Sequence, residues 1–297
     1  MPTDLAPLVV SWELHLKSER KSRETLKAYL TGVRMFLAWC ERTGTAAALD
    51  RRTVTAFVAG LLDNGAEAAT ARNRQLAVRR FSAWLADEDE IERDELAGMR
   101  PPKLDAKVVP SLDEDEIVRL IKACVGKAFR DRRDEAIVRL MVETAMRSDE
   151  VLSMTIPDTD LSRGAAIIRR GKGGKGRTVP FGAKTGAAID RYIRMRRTHR
   201  LAGTSVLWLG DRGKEFKYHA LRDTLRYRAA LAGLENFHPH LLRHTGAARW
   251  LDAGGSEGGL MAVAGWTRRD MLDRYVKSTS ERRAAEEARR LGLGDRL

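Results

Sequence analysis

With only two cysteines in 297 residues, Cys40 and Cys124, the chain can build neither a disulfide framework nor a four-cysteine zinc site. Both read as small apolar side chains in a reducing compartment. The N-terminus lacks the basic segment and apolar run of a signal peptide, and nowhere does an apolar stretch approach the length of a bilayer span. A cytoplasmic location is the expectation. His238, His240 and His244 form an H-x-H-x-x-x-H pattern, but no acidic ligand stands within that segment, so no metal or other cofactor is expected. No internal repeat or low-complexity block is present. These absences point away from metal hydrolysis and redox chemistry.

What the chain does have is positive charge, unevenly placed. The formal net charge is +13, yet residues 1–100 balance 15 basic against 15 acidic side chains, so the whole surplus lies beyond them. A one-sided surplus is the electrostatic footprint expected of a nucleic-acid partner, although a solvated basic surface has the same composition.

Helical periodicity dominates the first hundred residues. Leu26, Tyr29, Leu30, Val33, Phe36 and Leu37 recur at three- and four-residue spacings after a candidate N-cap, Ser22, and Gly44 closes the pattern. Two further helices are expected over 51–64 and 69–86. The second turns Leu76, Phe81 and Trp84 inward and lets Arg72, Arg74, Arg79 and Arg80 reach outward, to DNA or to a salt-bridged solvent face. The acidic run at 87–95 and the Pro101-Pro102 pair then break the periodicity, and a linker is read at 101–109.

Beyond the linker, Ser111 and Glu114 fit a capping box, and a helix is expected from Asp134 to Ala145. Ala166-Ile167-Ile168 and Arg177-Thr178-Val179 read as two short strands joined across a glycine-rich turn. Helices follow at 185–198, 219–232, 240–252, 258–264 and 268–276. The fold class is mainly α: an N-terminal helical bundle, then a mixed α/β unit with a small antiparallel sheet.

Several side chains suit phosphate chemistry. The Arg147 guanidinium matches two phosphate oxygens, and Glu150 can brace a basic neighbour. Lys172, in RRGKGGKGRTVPF, can give a proton to a departing oxygen, with Lys175 and Arg177 as competitors. His240 and Arg243 share a helical face at three-residue spacing, to manage a proton and hold a phosphate. His244 falls beside Leu241, Ala248 and Leu251 and reads as support for the helix. Trp266 and Tyr275 are ordinary core aromatics taken singly. A phenol, with an ordinary pKa of about 10, becomes a useful nucleophile only where cations balance the charge of its transition state.

Taken in order, these elements resemble the tyrosine recombinase, or phage integrase, family, in particular its Xer-like members. Arg147-Ser148-Asp149-Glu150 resembles the R-x-S-E motif, Lys172 the hairpin lysine, and His240-Leu-Leu-Arg243-His244-Thr245 the H-x-L-R-H-T box. Trp266 stands where most members have histidine and some have tryptophan, Tyr275 stands at the nucleophile position, and Ala145 replaces a common glycine. The resemblance implies a core-DNA-binding arm domain over 1–100 and a catalytic domain with an exchange tail over 110–297. It implies two transesterifications of duplex DNA through a 3′-phosphotyrosyl link, with no cofactor. Arg147 and Arg243 would hold the non-bridging oxygens, His240 and Trp266 would complete the pocket, and Lys172 would protonate the leaving oxygen. Arg72, Arg74, Arg79, Arg80, Lys175 and Arg177 are the expected DNA contacts. Tetramers on inverted-repeat DNA are implied, with docking by a separate tail helix that starts near Ser280 and carries Ala284, Ala285, Ala288 and Leu291. A DNA-binding protein without catalysis and a relaxing topoisomerase are the alternatives.

Overall fold

The computed structural model describes residues 5–104, 109–169 and 176–292. The chain divides into two compact units, residues 1–106 and 107–297. Lys172 and Lys175 lie outside the described residues.

The first unit is four helices: α1 (Leu5–Ser18), α2 (Arg23–Thr43), α3 (Arg51–Asp63) and α4 (Ala68–Asp87). Its α1 was not among the expected helices, yet Leu5, Val9, Trp12 and Leu16 give it a buried stripe at three- and four-residue spacing. Ser22 caps α2 by accepting from the Thr25 N–H, and Gly44 ends it at a left-handed φ of +64°. A Cβ on Gly32 would meet the Ala77 Cβ at 2.4 Å, so the pair lets α2 and α4 pack nearly backbone to backbone. Phe81 and Trp84 are buried as expected, but Leu76 is exposed. Its neighbour Gln75 takes the inward position instead, donating from Nε2 to the Arg100 carbonyl. Arg72 and Arg80 are exposed, and Arg74 and Arg79 are half-buried.

In the second unit, α5 (Glu114–Cys124) opens with a capping box two residues later than expected: Asp113 and Glu116 form it, not Ser111 and Glu114. Helix α6 (Phe129–Thr144) begins five residues before the Asp134 start expected. Its apolar residues Ile137, Leu140 and Met141 are fully buried. Its first turns are buried as well, because Asp134 accepts from Arg133 (3.0 Å) and from the distant Arg228 (2.8 Å). That pairing hid the helix start, since a run reading FRDRRDE looks solvated in sequence.

A short helix, α7 (Ser148–Leu152), leads into a three-stranded antiparallel sheet, β1 (Thr159–Asp160), β2 (Ala165–Ile168) and β3 (Arg177–Pro180), in that order. Ala166 faces Val179 across the expected pair, and β1 is an added edge strand of two residues. The remaining helices are α8 (Ala183–Arg196), α9 (Tyr218–Leu231), α10 (Pro239–Asp252), α11 (Glu257–Ala264) and α12 (Arg269–Leu291). The last corrects the sequence reading: no separate tail helix starts near Ser280, because α12 runs unbroken to Leu291 and ends at Gly292, φ +52°. Among the described residues no helix is long and apolar enough to cross a membrane.

Helix α10 crosses α6 at Gly246, where a Cβ would lie 2.7 Å from the Val142 carbonyl oxygen and 3.1 Å from the Ala145 nitrogen. Gly246→Ala is therefore expected to force the helices apart and lower unfolding stability by about 1–3 kcal/mol, read from the midpoint of denaturant unfolding.

Candidate active site

The site is assembled where α6, α7, β3, α10, α11 and α12 meet. Helix α6 ends at Ala145, whose φ of +50° is left-handed, a conformation that costs an alanine about 1–2 kcal/mol and that glycine adopts freely. The reversal delivers Arg147 to the N-cap of α7. There Glu150 makes the cap: its Oε2 accepts the Arg147 backbone N–H at 2.9 Å and its Oε1 accepts the Arg147 Nη1 at 2.8 Å.

The same carboxylate accepts two bonds from Arg177 of β3, from Nη1 at 2.9 Å and Nη2 at 2.8 Å. The third branch of Arg177, Nε, donates to the Val263 carbonyl at 2.7 Å. Arg177 is thus a wall of the pocket, 12% exposed, and not the open hairpin cation expected from sequence. Burial alone would raise the Glu150 pKa. Hydrogen bonds from Arg177 and from the Arg147 N–H, with both positive charges, outweigh that and hold the carboxyl below its usual range.

Helix α10 starts at Pro239 after His238 in the cap position, a favoured place for proline because its missing N–H is not needed there. His240 stands exposed at the rim, while Arg243, three residues on, is 2% exposed. Arg243 donates to the Ala145 and Ala264 carbonyls, the C-terminal ends of α6 and α11. Its guanidinium carbon is 5.4 Å from the Trp266 ring centre. Burial, then repulsion from Arg147, lowers its pKa to about 10, so it stays charged at neutral pH. Protein mass around His240, then Arg243, His238 and Arg147, lowers that imidazole too, even though its edge is open to solvent.

Tyr275 and Trp266 stack with ring centres 5.0 Å apart, and each is 5% exposed. Tyr275 Oη hydrogen-bonds His244 Nδ1, and the His240 and His244 rings meet edge-on at 4.5 Å. His244 therefore turns its ring toward Tyr275, a contact that its position beside Leu241, Ala248 and Leu251 did not signal. The indole N–H of Trp266 is buried with no acceptor among the described residues. Gly265 before it is doubly constrained: it ends α11 at φ +65°, and a Cβ there would lie 2.6 Å from Arg177 Nη1. Thr245 of the same box anchors α10, accepting the Leu112 N–H at 2.9 Å and donating to the Leu241 carbonyl. Among the described residues no cluster of histidine, cysteine or carboxylate is placed to hold a metal ion.

Sequence reasoning missed two features here, the Arg177–Glu150 fork and the His244–Tyr275 bond. Each joins residues 27 or more apart in sequence, and no spacing rule signals such contacts.

Glu150→Gln would leave two guanidinium groups around a neutral amide. A loss of about 3–5 kcal/mol is expected near pH 7. The Glu150 carboxyl is depressed in the folded state, so its contribution is full above the unfolded value, about 4.3, and disappears as pH falls through the folded value. Denaturant unfolding of both proteins between pH 3 and 7 should show the gap narrowing toward the acid end.

The comparisons with known proteins agree with this geometry. Residues 110–282 match the family model described as the phage integrase family, and residues 9–89 match the phage integrase N-terminal SAM-like domain. The chain is 29% identical over 242 residues to tyrosine recombinase XerC of Pseudomonas fluorescens, covering 80% of each protein. It is 30% identical to XerC of Azotobacter vinelandii, again over 80% of both. Among solved structures, the XerH recombinase bound to a palindromic difH substrate in a post-cleavage complex superposes with TM-score 0.74 at 18% identity, over 89% of this chain and 79% of that one. A lambda integrase dimer bound to a COC′ core site gives TM-score 0.69 at 18% identity, over 92% and 77%. These last two likenesses show the fold, which is mainly helical with the small sheet described above. The chain belongs to the phage integrase family.

Proposed function

We infer that Tyr275 is the covalent nucleophile through which this chain, a tyrosine-type site-specific recombinase, cuts and rejoins duplex DNA. The observation that carries the assignment is the meeting of Tyr275 with α10: its oxygen bonds His244, and its ring lies on Trp266, which lies against Arg243.

The charge balance supports it. Arg147, Arg177 and Arg243 surround one carboxylate, Glu150, so the pocket is short of negative charge. A phosphodiester supplies it. Arg243 has spent two N–H groups on carbonyls and Arg147 has spent one side-chain N–H on Glu150, which leaves both with donors for non-bridging oxygens. The unpartnered indole N–H of Trp266 can serve the same oxygens, and His240 at the rim can complete the set. Such preplaced donors favour the transition state, in which charge on those oxygens is greatest.

In the reaction, Tyr275 Oη bonds the scissile phosphorus, the bond to the 5′ oxygen breaks, and a 3′-phosphotyrosyl link remains. A 5′-hydroxyl from a second duplex then attacks that link and frees Tyr275. Bond energy is conserved across both steps, so no nucleotide cofactor is consumed. Lys172 is assigned as the proton donor to the departing 5′ oxygen. Arg72, Arg74, Arg79, Arg80 and Lys175 are assigned to the DNA backbone, where each would add to a salt-dependent affinity. The working form is a tetramer on an inverted-repeat site. In support, Ala284, Ala288 and Leu291 near the end of α12 are exposed in the single chain and available to a neighbouring copy.

Duplexes can be selected from a randomised library with the Tyr275→Phe protein and then given to the wild type. Wild type should form an SDS-resistant protein–DNA adduct, and Tyr275→Phe should bind equally well but form none. An adduct of normal yield from Tyr275→Phe would remove the assignment.

Lys172→Ala should cleave an ordinary phosphodiester at least ~100-fold more slowly and recover on a 5′-bridging phosphorothiolate, whose thiolate leaves without acid assistance. Equal loss on both substrates, in single-turnover cleavage, would place Lys172 in binding and not in proton transfer.

A further inference from the structure

An attacking phenol must lose its proton, and the structure places an imidazole on it. His244 stands one turn beyond His240 on α10, and its Nδ1 is hydrogen-bonded to Tyr275 Oη. Burial, then crowding by His240, His238, Arg243 and Arg274, lowers His244 to about 4, so its ring is neutral at physiological pH and can accept. Burial pushes Tyr275 up to about 12 against the pull of Arg243 and Arg274, so the phenol holds its proton and donates. The bond is therefore Oη–H to Nδ1, with the imidazole hydrogen on Nε2. Stacking on Trp266 holds the phenol ring beside α10, with its hydroxyl on His244.

We propose that His244 is the catalytic group that orients the Tyr275 hydroxyl and takes its proton as Oη bonds to phosphorus. This rests on Tyr275 being the nucleophile and deepens that reading. With the phenol raised and the imidazole lowered, the proton rests on Oη before DNA arrives. The proton moves only as the Oη–P bond forms, when the phenol's acidity climbs. The electron pair of Oη makes the new bond, and its proton goes to Nδ1. The P–O5′ pair stays on the 5′ oxygen, which is protonated by the general acid to leave as a hydroxyl. Negative charge on the phosphate, close to α10, offsets the new imidazolium. In the rejoining step the departing Tyr275 oxygen takes the proton back from Nδ1. His240, with no hydrogen bond to the phenol, is then left for the phosphate.

The charged and titratable groups around His244 are His238, His240 and Arg243 on α10 and its cap, and Arg274 and Tyr275 on α12. All but Tyr275 oppose its protonation, so the bound phosphodiester is what makes it a competent base.

The test uses the full chain and a nicked duplex selected as above. His244→Asn keeps an acceptor for the hydroxyl but no basic nitrogen. His244→Ala removes both. Adduct formation by His244→Asn should be at least ~100-fold slower at unchanged duplex affinity. His244→Ala should regain rate with added imidazole, in proportion to its unprotonated form between pH 5 and 9. A His244→Asn rate within about threefold of wild type, a rate above wild type, or no imidazole rescue would overturn the proposal. A DNA-free measurement guards against misfolded variants. In ¹⁵N-histidine NMR of the wild-type chain, Nδ1 of His244 should report as an unprotonated acceptor whose signal moves in Tyr275→Phe, and a protonated Nδ1 overturns the assignment. If wild type forms no adduct on any selected duplex, the nucleophile reading fails together with this one. An adduct from wild type matched by His244→Asn sinks the base alone.

Discussion

Arg243 is held in the interior by two carbonyls, those of Ala145 and Ala264, and these are the last oxygens of two different helices. Helix ends carry partial negative charge, so a buried guanidinium there is compensated without a carboxylate partner. The consequence is geometric. One side chain ties the turn that presents Arg147 to the turn that presents Trp266, and it does so from the helix that carries His240 and His244. If the guanidinium were paired with a carboxylate instead, its charge would be neutralised and its donors consumed. Carbonyl ligation keeps both the cation and a share of its N–H groups for a ligand.

The same economy runs through the rest of the pocket. Glu150 serves both Arg147 and Arg177 with one carboxylate, leaving a net positive site whose groups repel one another. Burial first, and that repulsion second, lowers the pKa of Arg243, His240 and His244. Burial and cations act together on the histidines, keeping them neutral. A pocket in this state gains most from an arriving anion, because the phosphodiester relieves the repulsion and restores basicity to the imidazoles at the moment chemistry begins.

Much of this was legible in the chain itself. The R-S-D-E, H-L-L-R-H-T and G-W elements and Tyr275 already named, in the sequence, the side chains that the fold gathers into one pocket. Helix positions were legible wherever an apolar stripe was clean, as in α2. They failed where polar groups were buried in pairs: the start of α6 was hidden by Arg133, Asp134 and Arg228, and Gln75 displaced Leu76 from the inner face of α4. The unbroken α12 escaped because its apolar face is weak beyond Tyr275, so periodicity suggested a break where the backbone has none.

The sequence by itself determined which groups are available and in what order, since side-chain chemistry and local propensity are properties of residues and short windows. Gly246 was already committed there to close backbone approach, and Gly265 to a left-handed turn against the Arg177 guanidinium, though not visibly so. Only the tertiary structure decided what each group faces. It turned Arg177 from a hairpin cation into the brace of Glu150, and His244 from helix support into the partner of Tyr275. Those assignments depend on contacts between residues far apart along the chain. Their energies come from burial and electrostatic fields that exist only once α6, α10, α11 and α12 have packed together.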